Sequence, residues 1–228
     1  TGTMAGIFKF LIANEVDFND KQIKAMYPDT KKPCNAEAYR LEQMQMIVAR
    51  AGQSPDKRNK AIVLVTASSG MRKGAVVKLR MKDLKMIEDT YLIIVYSGEN
   101  EEYVTFMTPE AADVLKEYFA QRQAKGEILT DESYVFTTKN GLGNPMEEVT
   151  FGSVVEYLLQ KSGVKATLKK DSERGRYNIA GIHGMRKFCD TQMEEAGLRD
   201  SKIQKMIGHM NGLKGLYFDA QSEKLYEE

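Results

Sequence analysis

The stretch 84–106 constrains the fold of this chain more than any other. Leu84 to Ile87, Tyr91-Leu92-Ile93-Ile94-Val95-Tyr96 and Tyr103-Val104-Thr105-Phe106 are rich in β-branched and aromatic side chains. Ser97-Gly98-Glu99-Asn100 separates the last two runs as a turn. This pattern predicts a hairpin with a third strand ahead of it. The rest of the chain has helical period. Met4, Ile7, Phe8, Leu11 and Ile12 share a face of a helix over 3–14, and Asn35 caps another running to about residue 50, with Tyr39, Met46 and Ile47 inward. Further helices are predicted over 55–67, around a buried apolar run at 61–65, over 75–80, from Thr108-Pro109 to Ala124, over 147–161, around His183, and from Asp200 or Ser201 through Ile207. Three strands amid helices predict a mainly α fold with a small three-stranded antiparallel sheet (α+β) beside a helical core, not a doubly wound parallel sheet. Tyr134-Val135-Phe136 is a candidate for one more short strand.

The polar, turn-rich segment from Pro28 to Pro33 is the best linker in the chain. It divides a helical piece and linker, 1–33, from one main domain, 34–228. The chain opens at Thr1 in a helical pattern, which reads as a piece of a longer protein. With 33 basic and 32 acidic residues the net charge is +1, so the total does not announce a nucleic-acid binder. The distribution is uneven, however. Lys161, Lys165, Lys169, Lys170, Arg174 and Arg176 lie close together, facing only Asp171 and Glu173. They read either as a solvated loop or as a contact for an anionic partner. No run of 18 or more apolar residues is present, so no membrane contact is expected. Cys34 and Cys189 are far apart and lack metal-site spacing, which predicts reduced thiols and no metal.

The chemistry-bearing residues cluster in the last fifth. The chain has two histidines. His183 is followed three residues later by Arg186, which places both on one helix face. His209 follows Gly208, a helix-end signal, and Tyr217 comes eight residues later. Upstream, Ser68-Ser69-Gly70-Met71-Arg72-Lys73-Gly74 sets an arginine straight after a buried helix and a glycine turn. That is how a guanidinium is preorganised for an anion. Two imidazoles, two fixed cations and a phenol suit phosphoryl transfer with tyrosine as nucleophile.

In their order, Arg72, His183-x-x-Arg186, Gly208-His209 and Tyr217 resemble the catalytic domain of tyrosine recombinases, the phage-integrase family. Residues 66–79 resemble its first arginine box, and His183-Gly184-Met185-Arg186-Lys187-Phe188 its His-x-x-Arg box. Met206-Ile207-Gly208-His209, with Gly215-Leu216-Tyr217-Phe218, resembles its last box in a form associated with archaeal integrases. The similarity covers about 35–228, and 1–30 look like the end of the family's helical core-binding domain.

The resemblance implies a site-specific recombinase acting on double-stranded DNA as a tetramer, with no cofactor, metal or small-molecule substrate, in a cytoplasmic, nucleoid-associated setting. It implies that Arg72 and Arg186 clamp the phosphate and His209 adds a hydrogen bond. His183 takes the proton of Tyr217, which attacks to give a 3′-phosphotyrosine. The basic cluster becomes a candidate DNA contact.

Three departures stand out. The family's lysine, acid for the leaving 5′-oxygen, sits in a turn between sheet strands; here that turn is 97–102 and has none, leaving Lys73, Lys85 and Lys139 as candidates. Ala75 stands where an acidic residue commonly follows the first arginine. Tyr226 is a second C-terminal tyrosine, less well spaced than Tyr217. The readings left open are a catalytically impaired DNA-binding module, a type IB-like topoisomerase of the same fold, and a phosphotransferase with a histidine nucleophile.

Overall fold

A computed structural model describes residue 13 and residues 37–139, 143–170, 177–179 and 181–209. The chain divides into two units, Thr1–Asn35 and Ala36–Glu228. In the second unit the described helices are α1 (Leu41–Gly52), α2 (Arg58–Ser69), α3 (Lys73–Lys78), α4 (Pro109–Ala124), α5 (Glu148–Lys161), α6 (Val164–Thr167), α7 (Gly181–Glu195) and α8 (Asp200–Met206), and the strands are β1 (Leu84–Ile87), β2 (Thr90–Val95) and β3 (Tyr103–Phe106). The strands form one antiparallel sheet in the order β1-β2-β3, with Leu84 opposite Ile93 and Val95 opposite Tyr103. The architecture is mainly helical with a three-stranded antiparallel sheet, as the sequence predicts.

The organising element is α2. Its residues from Ala61 to Ala67 are all buried, and α1, α4 and α7 pack around it. A helix apolar on every side belongs in the middle of a bundle. The sheet lies beside this bundle and has two working faces. Ile93, Val95 and Tyr103 join the main core, while Leu92 and Phe106 pack with Met206 of α8. Alternation along the strands therefore seats α8 and, with it, the chain leading to His209.

Several boundaries differ from those predicted. The first helix begins at Leu41, because residues 37–40 are used otherwise. Glu37 N–H bonds the Asn178 carbonyl at 2.9 Å, and Arg40 N–H is capped by Gln43 Oε1 at 3.0 Å. Its buried positions are Met44, Ile47 and Ala51, so Met46 falls off the inner face and is exposed. The next helix begins one turn later than predicted, at Arg58, with Lys57 as its N-cap and Asp56 Oδ1 accepting from the Arg58 N–H at 3.0 Å. Residues 134–136 are not a strand. Val135 N–H reaches the Leu79 carbonyl at 2.8 Å and Met81 N–H the Ser133 carbonyl at 2.9 Å, but Leu79 N–H turns back to the Val76 carbonyl and the Val135 carbonyl accepts from Arg122, so the ladder stops at one Arg80–Tyr134 bridge. The predicted basic loop is partly helical, with Lys161 ending α5 and Lys165 inside α6. Apart from residue 13, the helix predicted over 3–14 lies outside the described residues, as do the Asn35 cap and Cys34. No helix among the described residues is long and apolar enough to cross a membrane.

Candidate functional site

The site is built where three helix ends meet. Near its C-terminus α2 carries hydroxyls that would be costly if unpaired. Thr66, Ser68 and Ser69 instead donate to the carbonyls of Ile62, Leu64 and Val65 at 2.6–2.7 Å. Gly70 ends the helix in the left-handed region at φ +63°. It is wedged against α7 and α8: a Cβ there would lie 3.2 Å from Cys189 Sγ and 3.3 Å from Ile207 Cγ2. The backbone then turns extended at Arg72, and α3 starts at Lys73. This geometry buries Met71 and leaves Arg72 half-buried beside the bundle.

Arg186 projects from α7 and is 5% exposed. Its Nη1 donates to the Gly70 carbonyl at 2.5 Å, and its Nη2 donates to the Ile207 carbonyl. Arg72 Nη2 donates to the Gly208 carbonyl at 3.2 Å. The two arginines thus tie the C-terminal ends of α2 and α8 to the body of α7 and to the start of α3. These carbonyls take three of the ten N–H groups that two guanidiniums carry. Burial and the neighbouring Arg72 charge push the Arg186 guanidinium below its ordinary value. Two cations held this close favour a negative ligand between them.

Both histidines join this centre. His183 stands exposed on α7, one turn before Arg186. His209 follows Gly208, whose φ of +67° turns the chain out of α8. Burial, then the charges of Arg186 and Arg72, lower the His209 pKa; Asp190 opposes them and His183 adds to them. All four described members of the predicted constellation, Arg72, His183, Arg186 and His209, therefore share one field. Tyr217 and Tyr226 lie outside the described residues.

Glycine next to each histidine has a steric reason. A Cβ on Gly184 would meet Ile179 Cγ2 at 2.4 Å and the Tyr39 ring at 2.8 Å; one on Gly208 would meet the Tyr103 ring at 2.6 Å. Two buried tyrosines thus floor the site, and the hydroxyls of both lack a hydrogen-bond partner among the described residues. The Tyr103 oxygen lies beside the Arg186 guanidinium without a well-aligned hydrogen bond between them. Burial raises the Tyr103 pKa, while the charges of Arg186 and Arg72 hold the rise back. An orphaned buried hydroxyl is destabilising. Tyr103→Phe is accordingly expected to leave stability unchanged or raise it by about 1 kcal/mol, read from urea unfolding. A loss of more than about 1 kcal/mol would show that the oxygen has a partner in solution.

The remaining predicted residues are distributed as follows. Lys73 adjoins Arg72 and pairs with Glu148 Oε2 at 3.0 Å. Lys85 is exposed on edge strand β1, and Lys139 is exposed ahead of the 140–142 segment. The β2–β3 turn is closed by its own carboxylate, with Gly98 N–H donating to Glu102 Oε2 at 2.7 Å. In the basic cluster Lys165 pairs with Glu156 and lies over the Tyr177 ring. Arg174 and Arg176 are outside the described residues. No group of three or more potential metal ligands forms among the described residues.

Sequence reasoning missed Tyr103, Asp190 and Gln204. Asp190, one turn after Arg186, has a buried carboxylate oxygen without a partner among the described residues, and its charge acts on both Arg186 and His209. Near Arg72, where Ala75 removes the expected acid, the nearby carboxylate is that of Glu148, 3.1 Å from a Cβ on Gly74. Cys189 donates its thiol to the Ser68 carbonyl at 3.1 Å, and burial pushes its pKa up to about 12, so it is an inert packing residue.

Comparison with known proteins agrees with this geometry. The model described as the phage integrase family matches residues 38–214. A tyrosine recombinase XerC from Lactobacillus delbrueckii subsp. bulgaricus is 25% identical over 209 residues, covering 91% of this chain and 65% of that protein. A second XerC, from Lactobacillus leichmannii, is 27% identical over 155 residues, covering 67% and 46%. The chain thus spans less than two thirds of these relatives. Among solved structures, XerA recombinase superposes with a TM-score of 0.61 at 20% identity, covering 98% of this chain and 71% of that one. A lambda integrase fragment, solved as a dimer on a core site, gives 0.63 at 14% identity, covering 97% and 73%. These likenesses show the fold.

Proposed function

The chain belongs to the phage integrase family, and on that footing we propose that it is a site-specific DNA recombinase working through a 3′-phosphotyrosine. The observation that carries this reading is the junction of the Arg72, Arg186 and Gly208-His209 segments through three guanidinium–carbonyl bonds. A phosphodiester seated there would accept the free N–H groups of both arginines. Those donors oppose the charge that grows on the non-bridging oxygens as phosphorus becomes five-coordinate.

Tyr217 supplies the nucleophile. His183, exposed at the rim, takes its proton, and the phenol oxygen forms a bond to phosphorus as the bond to the 5′-oxygen breaks. The departing oxygen needs a proton, and Lys73, Lys85 and Lys139 are the candidates to deliver it. His209 contributes one more hydrogen bond to the phosphate. The phosphotyrosine keeps the bond energy, so religation is reversal of the same step with a new 5′-hydroxyl.

The partner is double-stranded DNA, with Lys161, Lys165, Lys169, Lys170, Arg174 and Arg176 as backbone contacts and a tetramer as the assembly that joins two duplexes. Relatives solved on DNA, such as the lambda integrase dimer on its core site and XerH on its difH substrate, support the DNA reading. Residues 1–33 fit the end of a core-binding domain, and the chain's work lies with cytoplasmic DNA. The form of the last box supports an archaeal-integrase-like member.

The test is covalent trapping. A nicked duplex that loses its 5′-hydroxyl fragment on cleavage should leave DNA attached to the peptide containing Tyr217, identified by mass spectrometry. Attachment to Tyr226 or to a histidine, or no attachment to any target duplex that the chain binds, would sink the assignment.

A further inference from the structure

Gln204 lies on α8, five residues before His209. Its carboxamide nitrogen donates to Asp200 Oδ1 at 3.1 Å, one turn earlier on the same helix. Its carboxamide oxygen lies 3.0 Å from His209 Nδ1. A backbone bond from His209 N–H to the Gln204 carbonyl, 2.8 Å, fixes the approach of the two residues. An ionised carboxylate only accepts hydrogen bonds, so the amide nitrogen must face Asp200 and the amide oxygen must face the ring. An amide oxygen also only accepts. In a neutral imidazole the proton must then sit on Nδ1. Free imidazole side chains in water prefer the other tautomer, so the protein has to impose this one.

We propose that Gln204, oriented by Asp200, is the positioning residue that holds His209 as its Nδ1–H tautomer, leaving Nε2 bare until the ring becomes cationic. The inference rests on the recombinase reading, in which Nε2 is the nitrogen that meets the phosphate.

A bare Nε2 cannot donate to a phosphate oxygen. It gains a proton only when the surroundings tolerate another positive charge. Arg186 and His183 on α7 and Arg72 ahead of α3 resist that charge; Asp190 on α7 favours it, and Asp200 stands behind Gln204 on α8. Without a ligand, burial first and then these cations lower the ring's pKa and favour its neutral form. A phosphodiester between the two guanidiniums reverses the local sign, and Nε2 then takes a proton from solvent and donates it as a hydrogen bond. The empty clamp thereby avoids a third cation, and the donor is created by the substrate that needs it.

The presence of only two histidines makes nitrogen NMR of the imidazoles decisive, with His183→Asn used to assign the signals. At pH 8 the wild-type chain should show His209 protonated at Nδ1. Gln204→Leu should move the tautomer ratio toward Nε2–H by about fivefold or more, the worth of one hydrogen bond. Gln204→Glu keeps an oxygen acceptor and should keep Nδ1–H. Leucine and glutamate are both good helix formers, so α8 is preserved. On a suicide duplex, Gln204→Leu should also lose rate less steeply than wild type as pH rises, because its neutral ring can already donate. Wild-type His209 found as Nε2–H, or a ratio unmoved in Gln204→Leu, would overturn the inference. Absence of a Tyr217 adduct in wild type would count against the recombinase reading alone, since the tautomer is read without DNA.

Discussion

Arg186→Ala is expected to cut single-turnover DNA cleavage by at least about 10³-fold, the scale of losing a preorganised donor to a developing oxyanion. It should also destabilise the fold by about 3 kcal/mol, since two buried carbonyls lose their partner at about 1–3 kcal/mol each. Those carbonyls belong to Gly70 and Ile207, which end α2 and α8. Part of the loss is offset, because a guanidinium buried beside Arg72 is itself unfavourable, as its lowered pKa indicates. Arg186→Lys keeps a charge but cannot span two carbonyls and a phosphate, so cleavage should remain down about 10²-fold. Arg72→Ala provides the contrast. Arg72 is half-buried with one carbonyl bond at 3.2 Å, so its rate loss should be comparable and its stability loss much smaller. Rates and urea unfolding on the three variants separate the roles. Cleavage by Arg186→Ala within tenfold of wild type would remove Arg186 from the phosphate clamp.

How far the sequence reveals this arrangement depends on whether the signal is local. The strands were legible because β-branched runs and a glycine turn encode them within a few residues, and α4 because Thr108-Pro109 marks its start, with the Thr108 side chain accepting from Ala111 N–H. Local reasoning failed where a distant partner decides. Residues 37–40 are kept from helix by Asn178, and 134–136 from strand by Arg122, which takes the Val135 carbonyl that Leu79 N–H would need. The same division holds at the site. Arg72, His183, Arg186 and His209 sit in short motifs with their own spacing. Tyr103 lies in an apolar strand where a tyrosine reads as core, and only folding puts it on Gly208. Gln204 has a local signal, five residues before a histidine on a helix, but nothing in that spacing shows which ring nitrogen it holds.

Gly208→Ala should lower stability by about 2–4 kcal/mol and cleavage by about 10²-fold, through two separable causes. A Cβ at φ +67° costs about 1 kcal/mol in backbone strain. It would also lie 2.6 Å from the Tyr103 ring, well inside contact distance, and such overpacking adds about 1–3 kcal/mol. The ring has little room to retreat, being buried in β3 with Tyr96 edge-on at 6.4 Å. The backbone at 208 must give instead. Its carbonyl holds Arg72 and its next residue is His209, so a shift of about 1 Å displaces both groups at once, enough for the expected loss of rate. Tyr103→Leu in the same chain would relieve the clash but not the strain. In a double-mutant cycle the pair should therefore couple favourably by about 1–3 kcal/mol, and a residual loss of about 1 kcal/mol should remain attributable to φ. Independent, additive effects would mean that the ring and the glycine do not touch, and that Tyr103 plays no part in seating His209.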